Sequence, residues 1–274
     1  ASAVPAGDTQ ITRREDAYQI NGRWRFASGC NHAAYLGVIG SVVEDGTPVV
    51  SSGGQPRTVF ASVPRELVEI VDVWRVAGLR GTGSNDLALH DASIPAELVV
   101  DLGDIRHPTP MMRFPSGAFL AMSKAAVATG IARGAIDAFI DLAEKVPWMS
   151  GTPLREEVRS QLQVAEAEPP WQSARGFLFD AVAQAWATVM DGGPASEKET
   201  AMVRLASVHA AVSSARAVEL MYHAAGTSSL FETSPLQRAF RDVHAVRQHA
   251  NVADRFREDA GRVLLGLAPQ EAIF

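Results

Sequence analysis

The feature that most limits what this chain can fold into is a change of hydrophobic period near residue 110. Residues 9–110 read as short strands with alternating polarity, bounded by Gly, Pro and Asp. "AYQINGRWRFAS" (17–28) sets Asn21-Gly22 between two β-favouring runs, a strong hairpin signal. "YLGVIGSVV" (35–43), "PRTVFASVP" (56–64), "LVEIVDVWRV" (67–76) and "DLALHDASIP" (86–95) follow. From Phe114 onward Ala, Leu, Arg and Glu dominate, and helical segments are expected near 115–145, 153–191, 196–225 and 234–267. In the second, Leu154, Val158, Leu162 and Ala165 recur at three and four residues and predict a core stripe. Pro153 suits a first helical turn, and Pro169-Pro170 should kink or restart that helix. Ser196 with Glu199 three residues on is a capping box. The expected fold is α+β in two domains. Residues 1–112 form an antiparallel β-barrel or sandwich, and residues 113–274 form a C-terminal four-helix bundle.

Composition narrows the function classes. The chain has 274 residues, 47% hydrophobic and 20% charged, with a net charge of −6, which suits one large domain or two smaller ones. Basic residues are scattered, so there is no electrostatic footprint for nucleic acid. The longest apolar stretch, 116–143, is broken by Ser, Lys, Arg and Asp and is too polar to span a bilayer. No charged-then-apolar signal segment opens the sequence. The single cysteine, Cys30, forbids an internal disulfide and fits a reducing cytoplasm.

"FRDVHAVRQHANVADRF" (240–256) holds two of the seven histidines, His244 and His249. A helical zinc pair needs spacing of i and i+4. Five positions turn the helix by about 500°, leaving the two rings roughly 140° apart if the stretch stays helical. No metal site is expected.

Three blocks carry a resemblance to a known family: "INGRWRFASGCNHAAY" (20–35), "WRVAGLRGTGSNDLALHDASIP" (74–95) and "GTSSLFETSPLQRAFRDVHAVRQHANVADRFREDAGRVLLG" (226–266). In order and spacing the chain resembles the middle and C-terminal domains of the acyl-CoA dehydrogenase superfamily. Within it, the chain is most similar to the two-component, flavin-dependent aromatic hydroxylases (group D monooxygenases). That family carries a helical domain of about a hundred residues ahead of the β domain. The sequence here enters directly on strand-like residues, as a natural start or as the middle of a longer protein.

The resemblance implies a set of site residues. A flavin ring needs an apolar wall and hydrogen-bond partners along one edge, and a strand supplies both. Phe26 is then the wall and Ser28, ahead of the Gly29 turn, the edge partner; strand alternation puts both on one face. Without the resemblance, the same residues are an ordinary strand ending in a Ser-Gly turn. His32 and Tyr35 follow that turn, and His32 is a second catalytic candidate, facing the pocket. "GLRGTGSND" (78–86) matches neither a dinucleotide nor a Walker pattern, and by itself is a tight turn with glycines at positive φ. The resemblance makes Thr82 and Ser84 flavin contacts, and Gly226 and Thr227 backbone contacts to flavin on a neighbouring subunit. Where a dehydrogenase of this superfamily has its glutamate base, this chain reads His249–Ala250, with no carboxylate until Asp254. An imidazole there suits oxygenation, as a hydrogen-bond donor or as a base toward a phenol. His249 is the leading catalytic candidate and His244 has a structural or interface role. Arg241 and Asp242 are expected to fasten the helix to neighbouring chains.

The chain is thus expected to be the oxygenase component of a two-component monooxygenase that hydroxylates a small aromatic, phenolic substrate with O2 and reduced flavin, FMN or FAD. A separate NAD(P)H:flavin reductase is implied, because no dinucleotide fingerprint is present. The resemblance also implies a homotetramer, a dimer of dimers. The alternatives are an acyl-CoA dehydrogenase-like FAD oxidoreductase and a non-catalytic or truncated subunit of such an assembly.

Overall fold

The computed structural model describes residues 2–7, 9–44, 46–51, 54–102, 109–148 and 150–270. The chain divides into two compact units, residues 1–76 with 80–107, and residues 77–79 with 108–274. Part of the changeover expected near residue 110, residues 103–108, lies outside the described residues.

The first unit is a barrel-like sheet. Its strands are β1 (Ser2–Pro5), β2 (Gln10–Arg14), β3 (Ala17–Ala27), β4 (Tyr35–Glu44), β5 (Thr47–Pro48), β6 (Thr58–Pro64), β7 (Glu69–Val71), β8 (Asn85–Pro95) and β9 (Val99–Asp101). They follow the order β7-β8-β3-β1-β4-β6-β9, with β2 bonded to β3 and β4, and β5 to β4. Alternate residues turn inward: Leu36, Val38 and Val42 from β4 and Val59, Ala61 and Val63 from β6 are fully buried. Trp24 sits among them and donates its indole N–H to the Ile39 carbonyl at 2.8 Å.

Three expectations for this unit need correction. The sheet is mixed rather than antiparallel throughout: β1 and β2 each run antiparallel to β3 but parallel to β4. They lie between two strands of opposite direction, so they must run parallel to one of them. Asn21-Gly22 is not a hairpin turn, because β3 runs straight through it. The turn falls at Glu15–Asp16, with Arg14 opposite Ala17. Asn21 instead faces a bulge in β8, where its side chain pairs with the Asp91 carboxylate and accepts the Asp91 N–H at 2.7 Å. Asp91 takes the extra residue's twist at φ 49°. Finally, the strand expected at 67–76 is paired only at Glu69–Val71. Beyond it the Asn85 side-chain oxygen accepts both the Val73 and the Trp74 N–H at 3.0 Å, replacing a partner strand.

The second unit is helical: α1 (Pro110–Arg113), α2 (Ser116–Leu142), α3 (Val158–Met190), α4 (Glu197–Ala224), α5 (Pro235–Arg247) and α6 (Arg255–Leu264). α4 packs on α2, α3 and α5, and α2 on α3 and α5; the buried faces of α2 and α3 are made chiefly of alanine. Ala118, Ala121, Ala125, Ala128, Ala132 and Ala135 form a stripe at three- and four-residue spacing on α2. The capping box is formed at the start of α4: Ser196 Oγ accepts the Glu199 N–H, and Glu199 Oε2 accepts the Ser196 N–H at 2.7 Å. Arg204, 1% exposed, donates to the Gly117 carbonyl at 2.6 Å and lies 3.3 Å over the Phe256 ring. It joins α4 to the start of α2 and to α6. No helix among the described residues is long and apolar enough to cross a membrane.

The helices also depart from expectation. Val158 and Leu162 are 68% and 64% exposed and Ala165 also faces outward; of the expected stripe only Leu154 is buried. The face that α3 buries runs through Ser160, Ala167, Ala174, Leu178, Ala181, Ala185 and Val189, where small residues let helix backbones approach. Pro153 caps a short 3-10 turn, Leu154–Glu156, ahead of α3. Pro169 and Pro170 lie inside α3 without restarting it. They deprive the Ala165 and Glu166 carbonyls of their helical partners. Contacts from α2 hold the helix on either side: Arg133 pairs with Glu168 at 2.7 Å, and Trp171 donates to the Thr129 carbonyl at 3.0 Å. The helix expected over 234–267 is two helices, α5 and α6, with His249 in the break between them.

Candidate functional site

At the end of β3 the sequence leaves regular strand geometry for a physical reason. Between the pairs Trp24–Leu87 and Ala27–Asn85, β3 has one residue more than β8. Phe26 absorbs the extra residue at φ 61°, in the left-handed region that an aromatic side chain rarely adopts. Simple alternation would place Phe26 beside Trp24 in the core. The bulge turns it outward, where it is 58% exposed and meets Trp74 edge to face at 6.4 Å. Phe26 and Ser28 are therefore not placed by alternation. A tight turn closes between them, with the Ser28 N–H on the Phe26 carbonyl at 2.8 Å.

The two sequence blocks chosen for a flavin then meet. Gly29, at φ 82°, donates its N–H to the Thr82 carbonyl at 2.7 Å. Ser28 Oγ lies 2.7 Å from Ser84 Oγ, which lies 2.7 Å from Thr82 Oγ1. Either partner can donate in each of these bonds, so exposed Ser28 can offer a proton or a lone pair to a ligand. Ser84 is buried and steadies the chain of hydroxyls. Cys30 Sγ bonds the Gly83 carbonyl at 3.3 Å beneath it. His32 is exposed and folds back over Gly29, where an added Cβ would lie 3.5 Å from its Nε2. Tyr35 is 56% exposed. An aromatic wall beside hydroxyls and a backbone turn suits a flat ring with polar edge atoms, the requirement a flavin poses.

In the helical unit, His249 lies just past α5 in extended geometry, at φ −68° and ψ 133°. Its Nδ1 accepts the Asn251 N–H at 3.2 Å and so caps the short turn Ala250–Val252. In the neutral ring that bond leaves the proton on Nε2. Burial, followed by the charge of Lys124 on α2, pushes the His249 pKa below the ordinary histidine value. His249 is thus a neutral imidazole with an Nε2–H to donate. His244 lies on α5 itself, with its ring 4.6 Å from Phe240 and Nε2 3.4 Å from the Glu219 carboxylate. Asp254, the first carboxylate beyond His249, is exposed and lies 3.6 Å from Arg257. Gly226, at φ 55°, and Thr227 are exposed in a 3-10 turn between α4 and α5.

Arg241 and Asp242 correct another expectation: they fasten α5 to this chain's own residues 77–79. The Leu79 N–H donates to Asp242 Oδ1 at 2.7 Å, and Arg241 Nη1 donates to the Ala77 carbonyl at 2.7 Å. Between them Gly78 comes so close to α5 that a Cβ would fall 2.0 Å from the Arg241 carbonyl oxygen. Among the glycines of "GLRGTGSND" only Gly83, at φ 50°, uses a positive φ. Sequence reading missed the clasp because its halves lie 163 residues apart.

Comparison with known proteins agrees with these features. Residues 122–254 match the family described as acyl-CoA dehydrogenase, C-terminal domain. The chain is 30% identical over 287 residues to the flavin-dependent monooxygenase, oxygenase subunit HsaA, of Mycobacterium tuberculosis, covering 100% of this chain and 70% of that protein. It is 33% identical over 254 residues to the indole-3-acetate monooxygenase of Pseudomonas putida, covering 92% and 64%. The crystal structure of 3-HSA hydroxylase from Rhodococcus sp. RHA1 superposes with a TM-score of 0.86 at 27% identity, covering 100% of this chain and 72% of that one. The chain spans about two thirds of the length of the curated relatives it matches.

Proposed function

The chain belongs to the acyl-CoA dehydrogenase-like family of flavin-dependent monooxygenases, and from that premise we propose that it is the oxygenase component of a two-component system hydroxylating an aromatic, phenolic substrate. The observation that carries this is Phe26, held outward by a bulge beside Trp74 and next to the Ser28–Ser84–Thr82 hydroxyls. Reduced flavin, FMN or FAD, supplied by a separate NAD(P)H:flavin reductase, brings the electrons that let O2 oxidise the ring.

The chain's own residues divide the work. Phe26 covers a face of the flavin ring and excludes water from it. Ser28, with Gly29, Thr82 and Ser84 behind it, holds the polar edge. His249 donates from Nε2 to oxygen at the reacting centre. Its Nδ1 is engaged by Asn251, which favours a donor over a base at Nε2. His32 stands at the mouth of the hydroxyl cluster as a substrate-side candidate. An exposed, ion-paired Asp254 offers no sheltered carboxylate for dehydrogenation, which favours oxygenation over the acyl-CoA dehydrogenase alternative.

We read residues 1–112 as the flavin-gripping domain, and α2–α5 within 113–274 as a four-helix bundle. A homotetramer, a dimer of dimers, would cover the outward Val158, Leu162 and Phe179 of α3 and bring Gly226 and Thr227 to a neighbour's flavin. Exposed large apolar residues along one helix suit an association surface.

The test is His249→Ala assayed with reduced flavin and O2. Product per flavin oxidised should fall by about 10²-fold or more while flavin affinity stays within about tenfold, and His244→Ala should do much less. Equal losses from both substitutions would remove His249 from the chemistry.

A further inference from the structure

Asn85 has no part in the roles assigned above, yet it touches the segments that build the hydroxyl and aromatic cluster. It is 4% exposed at the start of β8. A buried amide needs partners for both its oxygen and its nitrogen. The oxygen accepts the Val73 N–H and the Trp74 N–H, both at 3.0 Å. The nitrogen donates to Asn31 Oδ1 at 3.4 Å, in the turn that follows Gly29. The Asn85 backbone lies opposite Ala27, the residue that closes the bulge at Phe26. Ser84, the middle hydroxyl of the cluster, precedes it in the chain.

What the amide oxygen holds is the backbone of Trp74. Residues 72–76 lie past Val71, the last paired residue of β7, and belong to no strand or helix. No ladder fixes their direction there. Two successive N–H groups on one oxygen do so instead, and set which way the indole leaves the chain. That indole meets the Phe26 ring with centroids 6.4 Å apart and planes at 89°. Phe26 needs such a neighbour. Its φ of 61° is costly for an aromatic residue and persists only where the surroundings hold it. The Ser28 N–H on the Phe26 carbonyl holds it from the backbone, and Trp74 holds it from the ring.

We propose that Asn85 is a positioning residue for the flavin ring: its side-chain oxygen fixes Trp74 as the second ring of an aromatic corner with Phe26. The use of that corner by a flavin rests on the oxygenase reading; the hold on Trp74 rests on the two bonds from Asn85. Rings packed at a right angle stop each other from turning, so the wall is set before a ligand arrives. Ordering it in advance raises affinity, because binding no longer has to supply that order.

The test labels the five tryptophans of the 274-residue chain with 5-fluorotryptophan and assigns the Trp74 fluorine signal by its loss in Trp74→Phe. In the unsubstituted chain the Val73 and Trp74 amides should exchange slowly although they lie outside every strand. Fast exchange there overturns the proposal without any variant. Asn85→Leu fills similar space without the oxygen, and should move the Trp74 signal and speed both amides. Asn85→Asp keeps an acceptor oxygen and should leave them near their original values. In an anaerobic titration with reduced FMN, Asn85→Leu and Trp74→Leu should each weaken binding by about three- to tenfold. The double variant should be no weaker than the weaker-binding single one, because both act through one ring, and Asn85→Asp should restore the affinity. The proposal fails if Asn85→Leu leaves the Trp74 signal in place, or if Trp74→Leu binds reduced FMN unchanged. It fails as well if Asn85→Asp and Asn85→Leu lose affinity alike, which marks packing rather than the oxygen. Phe26→Ala separates the two readings. If it binds reduced FMN normally, the flavin wall falls while the hold of Asn85 on Trp74 stands on the fluorine signal; if that signal ignores Asn85, the hold falls while the wall stands.

Discussion

Replacing Gly78 by alanine adds one methyl group where the chain has no room for it. The new Cβ would lie 2.0 Å from the Arg241 carbonyl oxygen, 2.5 Å from its carbonyl carbon and 3.0 Å from the Ala245 Cβ. Two of those atoms are backbone inside α5, so no rotamer change relieves the overlap and residues 77–79 must withdraw. Withdrawal breaks the Leu79 N–H bond to Asp242 and the Arg241 bond to the Ala77 carbonyl, each 2.7 Å long. Hydrogen bonds with one charged partner contribute about 1.5–3 kcal/mol each. Water reaches both released groups, so the sum should stay near the low end, about 3 kcal/mol. Urea denaturation followed by helical circular dichroism should show the loss as a lowered midpoint, and hydrogen exchange at the Leu79 amide should accelerate. Asp242→Ala should cost less alone, and should add no more than about 0.5 kcal/mol in the Gly78→Ala background, because the bond it removes is already gone. An unchanged midpoint with a still-protected Leu79 amide would refute the close approach.

Three further outcomes follow from local geometry. Ser196→Ala should cost about 1 kcal/mol in thermal or urea unfolding, the usual worth of an N-cap. The Glu199 carboxyl is held below its ordinary range by the Thr188 hydroxyl first and then by Ser196. Its contribution is therefore present above the unfolded value and lost as pH falls through the folded one; the variant should show a shallower acid limb. For His249, depressed first by burial and then by Lys124, stability is lost as pH falls from the unfolded histidine value toward the folded one. In Lys124→Met, proton NMR should find the His249 pKa raised yet still below an exposed histidine's, and no movement would place Lys124 elsewhere. Ser28→Ala should weaken reduced-flavin binding by about 1 kcal/mol in an anaerobic titration, and unchanged affinity removes Ser28 from the site.

What the sequence made legible is what local physics decides. β4, β6 and β8 fall where alternation puts them, and the Ser196–Glu199 cap is readable because its partners are three residues apart. Asn21-Gly22 misled because Asn21 finds its partner in Asp91, 70 residues on, and a bulge needs the same permissive residues as a turn. The α3 stripe misleads because bulky apolar residues read as the inward face, whereas alanines and one serine mark close approach. Phe26 was named as a wall, but its exposure comes from an extra residue against β8 that no single-strand pattern reveals. His249 was named as well, yet no glycine or proline announces that α5 ends before it. The ring performs that termination itself, by accepting the Asn251 N–H.

The alanine-lined faces of α2 and α3 explain why these helices are so long. An alanine loses no rotamer freedom when it is ordered, so these positions pack without side-chain entropy loss. Each one also removes little apolar surface from water, far less than a leucine would. A pair of such helices can gain adhesion only by meeting along more turns, and α2, α3 and α4 run for 27, 33 and 28 residues. Length here takes the place of bulk. Shortening one of these helices by a turn should then weaken the unit more than trimming a large side chain, since every turn lost opens a whole layer of close backbone contact.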